Sequence, residues 1–178
     1  MLAKLISWFS GDAANRRAVE RLYAAVVERA RAPSLYLDYG APDTLDGRFE
    51  LLALHAFLVL RRLNAMPAPA PELAQDLVNA VFAHFDGALR EMGVGDPSVP
   101  KRMKTLAEAF LGRSLAYEAT LRDGGLEEAL KRNVYGGGGD AGRLARYVER
   151  AEASLAGAPL EAFLAGRPPF PDPLEVER

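Results

Sequence analysis

From Leu51 to Leu60 the chain reads LLALHAFLVL, apolar at every position but His55. A helix that is apolar all round has no face to give to water, so it must lie in a bilayer or be walled in by other protein. A bilayer span needs about 20 such residues across ~30 Å of hydrocarbon, whereas the interval from Arg48 to Arg61 supplies only about 18–20 Å at 1.5 Å per residue. The segment is therefore read as the central buried helix of a domain. With 178 residues, the chain has enough material for one compact domain to surround it.

The surrounding material is helical in pattern. Ala, Leu, Arg and Glu dominate, β-branched residues are scattered, and no useful stretch alternates apolar with polar, so the expected fold is all-α, a single bundle of about six or seven helices. Asp12 is placed to cap a helix whose stripe is Val19, Leu22, Tyr23, Val26 and Val27, and Pro33 stops it. The stretch PSLYLDYGAPD carries Gly and two prolines beside Leu35, Tyr36, Leu37 and Tyr39, and reads as a loop apolar enough to pack across the bundle. Asp43 or Thr44 offers the N-cap of the central helix, with Asp46 and Glu50 complementing its dipole. After MPAPAP come a helix repeating Leu73, Leu77, Val81 and Phe85 up to Gly93, and a long one capped by Ser98, with Val99, Met103, Leu106, Phe110, Tyr117 and Leu121 inward. A shorter helix around Leu126–Asn133, the GGGG run at 136–139 and a last helix from Gly142 precede the tail RPPFPDPLEVER, expected to be extended or frayed. The organisation expected is a short amphipathic segment 1–11, a helical domain 12–166 and a Pro-rich tail 167–178.

Composition removes whole classes of chemistry. With no cysteine there are no disulfides, thiolate nucleophiles or cysteine metal sites. Lys+Arg 22 against Asp+Glu 24 gives a net charge of −2, so nothing in bulk draws the chain to polyanions and no DNA partner is expected. His55 and His84 are the sole histidines, separated by the proline break, and fit no local zinc pattern; each reads as a hydrogen-bonded core histidine. GGGG lacks the preceding strand and following Gly-Lys-Ser/Thr of a phosphate loop, and the serines lack a nucleophile elbow. No catalytic residue, cofactor or metal is expected, which favours a binding role.

Two clusters remain as interaction candidates. Lys101, Arg102 and Lys104 place positive charge at a helix N-terminus, where the dipole disfavours it by some tenths of a kcal/mol; an anionic partner such as ribosomal RNA, phospholipid headgroups or an acidic loop would supply a reason. In the opening MLAKLISWF, Leu2, Leu5, Ile6 and Phe9 line one side with Lys4 opposite, the pattern of a packed terminal helix, a frayed end or a weak membrane-surface anchor.

The segment DYGAPDTLDGRFELLALHAFLVLRRL, then LREMGVGDPSVPKRMKTLAEAF and later KRNVY, resembles the ubiquinol-cytochrome c chaperone family from about Pro33 to Tyr135. Pro42, Asp43, Leu45, Asp46, Gly47, Arg48 and Phe49 match the first motif. Gly93, Val94, Asp96, Val99, Lys101, Arg102 and Met103 match the second, with Arg113 and Tyr117 following in the same helix. Leu111 stands where the pattern has an aromatic residue, and Gly136–Gly139 is a looser loop than the family needs.

The resemblance implies an all-helical, non-enzymatic assembly factor that binds newly made cytochrome b and supports biogenesis of the cytochrome bc1 complex. It also implies a second small assembly factor or the ribosome as further partners, and peripheral membrane contact. It suggests a bacterial member at the cytoplasmic face of the plasma membrane, the counterpart of the matrix side in mitochondria. Candidate partner-binding residues are Tyr36, Tyr39, Asp43, Arg48, Lys101, Arg102, Lys104, Arg113 and Tyr117, with the aromatic residues of the 35–39 loop and the face bearing Arg113 and Tyr117 forming the client groove. Two competing readings are a helical enzyme or isoprenoid-binding protein with a pocket of His55, Asp46 and Glu50, and a haem carrier using His84 or His55.

Overall fold

The computed structural model describes residues 13–91, 93 and 95–175; the expectations for the segment 1–11, for Asp12 as a cap, and for Val94 in the second motif lie outside them. Among the described residues the fold is all-helical: α1 (Ala13–Ala30), α2 (Pro33–Leu37), α3 (Leu45–Asn64), α4 (Ala70–Glu91), α5 (Val99–Asp123), α6 (Leu126–Val134), α7 (Gly142–Ala156) and α8 (Leu160–Leu164), with 3-10 turns at Asp96–Ser98 and Pro173–Glu175. Six of these are helices of nine residues or more, and α2 and α8 are five-residue turns.

The apolar helix α3 is the axis. It packs against α1, α4, α5, α6 and α7, and from Ala53 to Leu60 every residue is buried. Thr44 is its N-cap, the hydroxyl accepting from the Gly47 amide at 3.1 Å, while Asp43, the other candidate, pairs with Arg48 at 2.6 Å. Arg61 and Arg62 close the helix where its dipole favours cations. Arg61 reaches Glu118 of α5 at 2.9 Å and also pairs with Glu152 of α7, and Arg62 donates to the Ala158 carbonyl at 2.8 Å.

His55 is the one polar side chain in the apolar run and is fully buried. Its Nδ1 lies 2.7 Å from the Leu51 carbonyl, which can only accept, so Nδ1 carries the proton and Nε2 accepts from the Tyr147 hydroxyl at 3.0 Å. Phe170 closes the other side, its ring 5.4 Å from the imidazole. The tail is thus extended rather than frayed where it is described: Ser154 donates to the Pro169 carbonyl at 2.6 Å and Tyr39 to that of Pro173 at 2.7 Å. Gly166, at φ +68, lets the end of α8 lie against α1, since a Cβ there would meet the Arg21 Cβ at 2.6 Å.

Three local expectations are corrected. The 33–43 stretch begins as helix α2, because the proline that ends α1 is well suited to open the next turn; Leu35 and Tyr39 pack inward, but Leu37 stands in solvent. Ser98 does not cap α5: it sits in the 3-10 turn with helical backbone angles, and its side chain makes no cap bond. His84 is not a core residue. It lies on the exposed side of α4, stacked on Tyr23 with ring centroids 4.1 Å apart.

Burial lowers the His55 pKa from 6.5 to about 4, because the charged ring would lose hydration that the core cannot replace. The folded-state pKa lies below the unfolded one, so this contribution to stability is complete above about pH 6.5 and is lost as pH falls through about 4. Urea unfolding from pH 7.5 to 4 is expected to show up to about 3 kcal/mol more loss in the native chain than in His55→Leu; parallel pH profiles would contradict it.

Candidate functional site

An open groove of about 900 Å³ lies between the start of α3, the second half of α4, the first half of α5 and the end of α6. Phe49 and Phe85 meet in it with centroids 5.6 Å apart, and Leu45, Leu89, Leu106 and Val134 extend the apolar lining. Leu45 is 69% exposed, so the lip itself is apolar. Lys101, Arg102 and Arg113 line the α5 side, Asp46 and Glu50 the α3 side, and Asn133, Tyr135 and Gly136 the far end.

The entry to α3 shapes the lip. A Cβ on Gly47 would lie 2.0 Å from the Pro42 carbonyl oxygen, so the strand-like approach from Pro42 to Thr44 can cross the first helical turn only over a glycine. That crossing places Pro42, Thr44 and Leu45 along one edge of the groove.

Below the lip, Glu50 and Arg113 join α3 to α5. Arg113 donates through Nη2 to Glu50 Oε1 at 2.7 Å and through Nε to both carboxylate oxygens at 3.1 Å. The Glu50 side chain is 8% exposed and that of Arg113 33%. These hydrogen bonds hold the Arg113 pKa above its ordinary value. One turn further along α5, Tyr117 is wholly buried and packs on Phe57 at 5.7 Å. Burial raises its pKa above the ordinary phenol range. Its hydroxyl lies beside Asn133, yet neither it nor Asn133 Nδ2 completes a hydrogen bond among the described residues.

The other sequence candidates fall in different places. Tyr39 belongs to the core: its hydroxyl is bonded to the tail, its carbonyl accepts from the Tyr135 hydroxyl at 2.8 Å, and the Arg143 guanidinium sits 4.5 Å over its ring. Tyr36 is half-buried and donates to the Ala30 carbonyl at 3.0 Å. The Asp43–Arg48 pair beside it is exposed, and the Arg48 guanidinium holds the Asp43 carboxyl below its ordinary pKa. Lys104 points to solvent toward Glu108 at 3.8 Å. Lys101, Arg102 and Arg113 are therefore the candidates that line the groove, with Tyr117 beneath it. His55 is absent from this lining, and His84 faces another side of the bundle, so the pocket of His55 with Asp46 and Glu50 is not assembled.

Sequence reasoning missed Glu50 as a buried partner of Arg113, and missed Phe85, Leu89 and Asn133 as groove residues. A signal for Glu50 existed: it lies one turn before Leu54 on the buried face of α3, where a carboxylate requires a cation. On another side of α5, exposed Leu111 and Leu115 border a second trough of about 620 Å³ beside Arg61 and Glu152.

The fold and this site define an α-helical protein whose apolar, cation-rimmed groove is assembled from segments far apart in sequence. Residues 37–170 match the ubiquinol-cytochrome c chaperone family, and the chain belongs to that family. The match extends past Tyr135 through the last two helices to Phe170. The crystal structure of the Cbp3 homolog from Brucella abortus superimposes with a TM-score of 0.83 at 36% identity, covering 98% of this chain and 99% of that one. Ubiquinol-cytochrome c reductase complex assembly factor 1 of Drosophila melanogaster is 25% identical over 154 residues, 80% of this chain and 60% of that protein. Its Xenopus laevis counterpart is 23% identical over 116 residues, 64% of this chain and 58% of that protein. The chain thus spans about three-fifths of the length of these two relatives.

Gly47→Ala is expected to lower stability by about 1–3 kcal/mol, as overpacking does, read as a fall in thermal midpoint; an unchanged midpoint would mean that the Pro42 crossing is not tight. Arg113→Leu strands the Glu50 charge and is expected to cost about 2–3 kcal/mol, discounted because Arg113 is partly solvated. Glu50→Leu combined with Arg113→Leu should recover much of that loss in chemical denaturation.

Proposed function

We propose that this chain is a non-catalytic assembly chaperone for the ubiquinol-cytochrome c reductase (bc1) complex that holds newly made cytochrome b through the 900 Å³ groove. One observation carries the reading. The three stretches that carry the family resemblance, 38–63, 89–110 and 131–135, lie far apart in the chain, yet each contributes residues to the walls of one groove, with Arg113 just beyond the second. A membrane-protein chaperone needs a rigid helical body with a semi-exposed apolar surface and a charged rim, and the groove combines Leu45, Phe49 and Phe85 with Lys101, Arg102 and Arg113.

Support from relatives is consistent: the family is described as a ubiquinol-cytochrome c chaperone, and the fly and frog proteins are named as assembly factors of that complex. The site of action is the cytoplasmic face of a bacterial plasma membrane, where the client is inserted. No helix among the described residues is long and apolar enough to cross a membrane; in this scheme membrane contact is peripheral. A second small assembly factor or the ribosome is a further partner in this scheme.

Deletion of the gene in its host is expected to deplete cytochrome b, the Rieske protein and cytochrome c1 from membranes, and the tagged chain should co-purify cytochrome b. Phe49→Ala combined with Phe85→Ala, if still folded by circular dichroism, should restore the complex poorly. A normal complement of bc1 subunits in the deletion strain would end this reading.

A further inference from the structure

The α5 wall of the groove has a charge order that specifies what can lie along it. Lys101 and Arg102 stand at one end, Leu106 and Ala109 in the middle and Arg113 at the other end, all on the groove side. At 1.5 Å per residue the two cationic ends are about 17 Å apart, some three helical turns. Neither Lys101 nor Arg102 has a carboxylate within salt-bridge distance among the described residues, unlike Lys104, which has Glu108. Arg113 spends Nε and Nη2 on Glu50, and no hydrogen bond from its Nη1 is formed among the described residues. Among the described residues the carboxylates in the lining are Asp46 and Glu50, so three cations face two anions there, on a chain of net charge −2. Lys101 and Arg102 also lie in the first turn of α5, where the helix dipole disfavours them; an anion docked there offsets both penalties.

We propose that the groove receives an amphipathic helix of a partner protein, with acidic residues about eleven positions apart bracketing its apolar stripe. Ala109 at mid-wall lets the helix axis approach α5 closely, the apolar stripe meets Leu106, Phe49 and Phe85, and the two acidic ends meet Lys101–Arg102 and Arg113. An anionic lipid fits this wall less well, because its charge is gathered in one headgroup whereas the cations stand at both ends of an apolar stretch. The inference rests on the groove being a docking site, and adds the chemistry and register of what docks.

The test uses the full chain and three fluorescent 18-residue helical peptides with one common apolar stripe. The first carries Glu at both ends of the stripe, eleven residues apart; the second carries Lys there; the third has the same composition as the first but with its Glu residues gathered at one end. Anisotropy titrations should rank the first peptide at least about tenfold tighter than the second, with the third in between and the preference weakened by salt. Lys101→Glu with Arg102→Glu, checked for native circular dichroism, should invert the preference for Glu over Lys. Equal binding of the first two peptides, or a preference unchanged in the double variant, would overturn the proposal. So would phosphatidylglycerol vesicles that bind the native chain through Lys101 and Arg102 while the peptides show no charge preference. Complementation separates the two levels: if Phe49 and Phe85 prove necessary for bc1 assembly but the Glu peptide shows no advantage, the partner's chemistry is wrong and the assembly role stands. A clear Glu preference with a normal complex in the deletion strain means the opposite, that the groove docks an acidic helix and the assembly role falls.

Discussion

Burial of α3 on every side is the constraint from which the rest of the bundle follows. Leu51, Leu54, Leu58, Val59 and Leu63 have almost no accessible surface, and each such side chain is worth roughly 1.5–3 kcal/mol when fully withdrawn from water. A helix of this kind contributes only if no side is left open, so α1, α4, α5, α6 and α7 are each held against it. Its single polar group forces a further arrangement. His55 must have both ring nitrogens satisfied, and Tyr147, seated in α7 and held edge-on to Tyr39 at 6.0 Å, meets one of them. Tyr39 in turn bonds to the tail at Pro173 and accepts from Tyr135. One buried imidazole thereby ties together segments from residue 39 to residue 173.

The same helix leaves the core at its N-terminal end and becomes part of the groove. Glu50 marks the change of role: it is nearly as buried as the leucines that follow, yet its carboxylate is turned to Arg113. Phe49, one position earlier, is half-buried and touches Phe85. The groove is therefore continuous with the hydrophobic core, and the Glu50–Arg113 pair fixes the α3–α5 relationship on which its width depends. Ion pairs of this sort are poor sources of net stability but hold one geometry strongly, because separating them exposes an unpaired charge to a dry interior.

How much of this could be read from the sequence depends on whether the information was local. The central helix was legible because ten successive positions admit no alternative, and its cap was legible to within two residues, Asp43 or Thr44, of which the fold uses Thr44. The motif residues Gly47, Lys101 and Arg102 were legible through family resemblance, although the reason for Gly47, a carbonyl 2.0 Å from where a Cβ would be, was not. Exposure was the weak point. Tyr39 looks like a contact residue in a linear reading and is a core residue in the fold, and His84 looks internal and is stacked on the outside, whereas Tyr117, on the inward stripe of its helix, is buried as that stripe implies. A helical stripe tells which residues share a face, but whether another element covers that face is decided by chain segments tens of residues away. The Glu50–Arg113 pair, 63 residues apart, is invisible for the same reason.

The tight crossing of Pro42 over Gly47 bears on how the groove can behave. Its lip is not a loop free to fold over a guest; it is backbone wedged against the first turn of the most deeply anchored helix. The opposite wall is a 25-residue helix braced by ion pairs at Arg61 and at Arg113. Such a surface is preorganised, so an incoming segment meets walls whose ordering was settled when the protein folded. The entropy left to lose lies on the guest's side, and residence time is then tuned by the guest's own readiness to form structure: a floppy, immature segment is held more loosely than one already helical.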